Sequence, residues 1–176
     1  MSHSRLFQLI KDSVYDETDL IGEDDDDARV PTCDYMAESD NFKEDIEWLK
    51  DMLPTIYEKS YDTRKGLKKF YIKCDAATKQ ICLNIINKSI IRANEGLSTL
   101  RDIVKKCVQD NTLDQIDFSY KSFVIKQALD DKYGFYFYVG KSGEAYPVTT
   151  AGFISDILRE DENTVYTIAK TLDYHS

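Results

Sequence analysis

Phe135-Tyr136-Phe137-Tyr138-Val139 is an unbroken aromatic and β-branched run, and it decides the reading of the C-terminal part of the chain. Such residues suit a pleated strand. Gly140-Lys141-Ser142-Gly143 follows with turn chemistry, and Glu144 to Val148 reads as a returning strand, so residues 135–148 predict a hairpin. Pro147 suits an edge position. Thr149 or Thr150 can cap a short helix bearing Phe153, Ile154, Ile157 and Leu158, and residues 164–169 read as a third strand through Val165 and Ile168.

Upstream of this run the apolar spacing is helical. Leu6, Leu9, Ile10 and Val14 predict a short amphipathic helix over 4–15. Phe42, Ile46, Leu49, Leu53 and Ile56, widened by Trp48 and Met52, form a stripe on a helix that Asp40 can cap and Pro54 ends. A second helix is expected over 63–73 with Leu67, Phe70 and Tyr71 inward. A third follows Asp75, with Ile81, Ile85, Ile86 and Ile90 buried and Gly96 as its stop. A fourth follows Ser98 with Leu100, Ile103, Val104 and Cys107, and a fifth runs from Asp117 to Gly134 through Tyr120, Phe123, Val124 and Leu129. The expected class is therefore α+β: an N-terminal helical bundle of about five helices, then a small antiparallel hairpin or three-stranded sheet with one short helix. The expected organisation is an acidic, partly disordered arm over 1–38 and a single globular α+β domain over 39–176.

Charge supports that division. Of the net −9, residues 1–60 carry −11 and residues 61–176 carry +2. Five consecutive acidic residues, Glu23-Asp24-Asp25-Asp26-Asp27, repel one another and resist compact packing. An acidic surface repels nucleic acid and anionic lipid and attracts basic partners. No apolar stretch is long enough to span a bilayer, and the first fifteen residues lack the features of a secretory signal. Cys33, Cys74, Cys82 and Cys107 form no CxxC pair and read as reduced thiols, so a cytoplasmic, soluble protein is expected.

The motifs of catalysis fit poorly. Gly140-Lys141-Ser142 resembles the end of a phosphate-binding loop, but five residues separate it from Gly134, one more than the motif allows, and those five are the predicted strand. The aspartate run lacks the glycine and the later glutamate of an EF-hand loop. His3 and His175 are the only histidines and lie at the two ends, where chains are usually mobile, which disfavours a triad or a histidine-ligated metal. No cofactor, no metal and no catalytic residue is expected. Arg64, Lys65, Lys68, Lys69 and Lys73 form one basic cluster, read as a solvated helix face. Tyr136 and Tyr138 alternate with Phe135 and Phe137, so one face of that strand belongs to the core and the other can present aromatics to a partner.

Ile125-Lys126-Gln127-Ala128-Leu129-Asp130-Asp131-Lys132-Tyr133-Gly134, then Val139-Gly140 and Val148-Thr149, resembles the dynein light chain family of cargo adaptors. The resemblance covers about a quarter of the chain. It implies a helix followed by a hairpin, and peptide binding by strand addition at a sheet edge.

Together these readings predict a non-enzymatic acidic protein that binds another protein, of an inhibitor, immunity-type or host-factor-binding kind, with a basic partner. The alternative is an adaptor that binds peptides by strand addition at the C-terminal sheet. The candidate partner-binding residues are Glu23, Asp24, Asp25, Asp26, Asp27, Glu44, Asp45, Glu47, Asp51, Tyr136 and Tyr138.

Overall fold

The computed structural model describes residues 3–11, 20–21, 35–62, 67–110, 134–140 and 147–175. They form β1 (His3–Lys11), β2 (Tyr35–Glu38), α1 (Phe42–Met52), β3 (Tyr57–Asp62), β4 (Leu67–Lys73), α2 (Ala76–Gln109), β5 (Phe135–Gly140), β6 (Val148–Thr149), α3 (Thr150–Arg159) and β7 (Val165–His175). The chain divides into two compact units, Met1–Cys82 with Tyr133–Ser176, and Leu83–Lys132. All the strands among the described residues lie in the first unit, in one mixed seven-stranded sheet of order β3-β4-β7-β1-β5-β6, with β2 paired to β7 off this path. β1 and β5 run parallel, and the other pairs are antiparallel.

β7 organises the sheet. One edge pairs with β1 along its length. The other pairs with β4 near the start of β7 and with β2 near its end. Between them the register slips: Gln8 faces Lys170 but Leu9 faces Ile168, so Ala169 is an extra residue on β7. Such a bulge swaps which residues face each side of the sheet. Leu172 therefore faces one side with Leu6, while Ile168 and Tyr166 face the other with Leu9 and Lys11.

The two sides of the sheet differ. On the helix-covered side, Phe137 stacks on Phe153 of α3 with centroids 4.2 Å apart and on Phe7 at 5.6 Å. Phe135 meets Phe7 edge-on at 5.2 Å, and Phe153 meets Tyr166 at 5.4 Å. Burial, with Glu160 nearby, pushes the Tyr166 phenol well above its ordinary range. α1 covers the same side, its Phe42 lying 6.0 Å from Phe70 of β4 and its Ile46, Leu49 and Met52 buried. On the opposite side Leu6, Ile21, Met36 and Leu172 form a second cluster, with Tyr136 and Tyr138 half-buried against it.

Gln8 is wholly buried on that second side. Its amide nitrogen donates to the Ile21 carbonyl at 2.9 Å, and its amide oxygen accepts from the Ile21 N–H at 2.7 Å. One side chain thus satisfies both backbone groups of a residue that belongs to no strand. Gln8→Leu keeps the bulk but strands both groups, so urea unfolding should show a loss of about 1–3 kcal/mol.

The structure overturns the expected five-helix bundle followed by a small sheet. Among the described residues there are three helices, and strands make up a large part. The helix expected over 4–15 is strand β1, because both faces of residues 4–10 are covered and a doubly covered strand carries apolar residues in helix-like abundance. The helix expected over 63–73 gives way, over 67–73, to strand β4. Phe70, Ile72 and Cys74 are buried while Lys69, Tyr71 and Lys73 are half-buried, which is a period of two. The third and fourth helices are one, α2, which runs through Gly96. A single interior glycine costs a helix only about 1 kcal/mol relative to alanine. Within α2 only Thr78 and Cys82 are buried, and Ile90, expected inside, is exposed. Burial lifts the Cys82 thiol to about 11. The fifth helix, the turn at 141–143 and the aspartate run lie outside the described residues.

Other elements stand close to their expected places. α1 ends at Met52, just ahead of Pro54, although Asn41 and not Asp40 occupies its N-cap. Thr149 caps α3 by accepting from the Gly152 N–H. β5 opens at Phe135, and β7 covers the third predicted strand and continues to His175.

Candidate functional site

α1 is amphipathic in an unusual way. Its inner side carries Ile46, Leu49 and Met52, all buried. Its outer side carries Glu44, Glu47, Trp48 and Asp51, all exposed, at the i, i+3, i+4, i+7 spacing that aligns residues along one helix face. Trp48 is the only tryptophan of the chain, and 43% of it is exposed. Its reading as part of the inner stripe is therefore corrected.

The indole is braced from within. The Arg5 guanidinium carbon lies 5.4 Å from the centroid of the Trp48 ring. Arg5 is fixed in turn by two carboxylates: its Nε donates to Asp45 Oδ1 at 2.7 Å, and its Nη1 to Asp173 Oδ1 at 2.7 Å. The second oxygen of Asp45 accepts from Ser39 Oγ at 2.6 Å and from Thr171 Oγ1 at 2.6 Å. Ser39 Oγ also accepts from the Asn41 N–H at 3.2 Å, which ties the start of α1 to the same network. Arg5, Asp45 and Asp173 together bear one net negative charge.

The expected partner-binding residues therefore part company. Glu44, Glu47 and Asp51 do share an exposed face. Asp45 does not join them: it is fully buried and belongs to the brace. A charged residue one position from an exposed glutamate reads as surface, but position 45 falls on the inner stripe. Tyr136 and Tyr138 lie across the sheet, in register with Leu6 and Gln8, whereas α1 bonds to Arg5 and Thr171 on the other side. They are not part of this surface. Glu23, Asp24, Asp25, Asp26 and Asp27 lie outside the described residues. Sequence reading missed Trp48 and Arg5. The 44-47-48-51 spacing could have flagged Trp48, but nothing local ties it to Arg5, which comes from another strand.

Glu47 is engaged by Lys50 Nζ at 2.6 Å. Glu44 and Asp51 have no ion-pair partner among the described residues. The basic residues Lys69 and Lys73 lie on β4 and form no helix face. Among the described residues Cys74, Cys82 and Cys107 form no disulfide. No helix among them is long and apolar enough to cross a membrane. Of the stretch that resembles dynein light chains, 125–133 lies outside the described residues, and Val148-Thr149 forms the short strand β6 directly ahead of α3. Searched against family models, curated proteins and solved structures, the chain matches none.

Proposed function

We propose that this is a protein-binding protein, not an enzyme, that engages a basic partner through the outer stripe of α1. The observation that carries the reading is an exposed tryptophan, braced from behind and set among exposed carboxylates on a regular helix. Rigid exposed tryptophans are frequent anchors of protein interfaces, because they bring a large apolar area with few rotamers to fix. The surrounding carboxylates favour a cationic approach and speed encounter. A smaller role falls to Tyr136 and Tyr138, whose half-burial against Leu6 and Met36 leaves less of each ring to offer.

The test compares the wild type with Glu44→Gln/Glu47→Gln/Asp51→Asn, each immobilised and exposed to native lysate at low and high salt. The variant should retain the wild-type partner with an association rate lowered about tenfold at low salt, and the difference should shrink as salt rises. Equal association rates for the two proteins at low salt would sink the proposal.

A further inference from the structure

We infer that the outer stripe of α1 receives an arginine side chain of the partner, laid flat against the Trp48 indole between Glu44 and Asp51; this rests on the function proposed above. The chain already holds one arginine in this manner. On the inner side of Trp48 the guanidinium of Arg5 lies over the ring while Asp45 and Asp173 accept from its edge. The outer side offers the same set of groups to solvent. The ring is 43% exposed, Glu44 lies one turn before it and Asp51 one turn after it, and both are exposed. Residues so spaced on a helix place their Cβ atoms about 5–6 Å apart.

The chemistry selects the cation. A guanidinium is flat, weakly hydrated and carries donors along its edge, so it can stack on indole while donating to a carboxylate. An ammonium is a compact, strongly hydrated point charge that must divide itself between ring and carboxylate. Arg5 does not repel the incoming charge, because its own is exceeded by those of Asp45 and Asp173. Its grip on the ring also means that little freedom of Trp48 remains to be lost on binding.

Trp48, as the sole tryptophan, reports on its own site by fluorescence. The full chain is titrated at physiological salt with two blocked dodecapeptides of equal charge, alternating Gly-Arg and alternating Gly-Lys. The Gly-Arg peptide should change Trp48 emission and bind at least fivefold tighter than the Gly-Lys peptide. Glu44→Gln/Asp51→Asn should bring the two close to parity. Equal affinity for both peptides in the wild type overturns the arginine inference and leaves the acidic surface standing. An arginine preference that persists in the double variant overturns the placement at Glu44 and Asp51. No response of Trp48 to either peptide overturns both the inference and the function on which it rests.

Discussion

Asp45→Ala should lower the unfolding free energy by about 3–5 kcal/mol, the range for breaking a buried ion pair from one side. The carboxylate is wholly buried, and its oxygens serve Arg5, Ser39 and Thr171 at 2.6–2.7 Å. Truncation removes the acceptor of all three and leaves a cavity lined by polar groups. Asp173 keeps part of Arg5 satisfied, but its side chain is partly exposed and holds only one nitrogen. Urea unfolding followed by far-UV circular dichroism gives the value. A loss below about 1 kcal/mol would mean that water replaces the carboxylate without difficulty, and that the site is wetter than its burial implies.

Phe137→Ala should cost a similar amount, about 3–5 kcal/mol, for an unrelated reason. The ring is fully buried and lies between Phe153 at 4.2 Å and Phe7 at 5.6 Å. It joins α3 to the centre of the sheet, so its removal leaves a void that neither a strand nor a capped helix can readily close. Phe137→Leu, which fills most of that space, should lose less than half as much on thermal or urea unfolding. Equal losses for alanine and leucine would show that ring stacking, and not volume, supports this core.

Where the sequence could be read, one local rule sufficed. β5 announced itself by β-branched and aromatic residues, α3 by a threonine cap ahead of an apolar stripe, and the end of α1 by Pro54. The misreadings arise where tertiary context reverses a local rule. Residues 4–10 are apolar enough for either a buried helix or a strand covered on both faces, and the sheet decides. In and just after β4 the lysines interleave with Phe70, Ile72 and Cys74, whose two-residue period is that of a strand, while the charges alone resemble a solvated helix face. At Gly96 a stop signal was outweighed by good helix formers on both sides. The site was half legible: the spacing of Glu44, Glu47 and Asp51 exposes them together, but the ion pair that satisfies buried Asp45 comes from Arg5, forty positions earlier, where no local spacing shows it.

The contact between Arg5 and Asp173 joins positions 168 apart in sequence. During synthesis, the helix bearing Trp48 is complete long before the residue that finishes its support has been made. At roughly 5–20 residues per second that interval lasts many seconds. Throughout it the ribosome-bound chain holds the indole and its flanking acids without the full clamp behind them. The support behind Trp48 is thus finished only when β7 closes against β1, so the last strand made completes a site whose helix is among the first elements made.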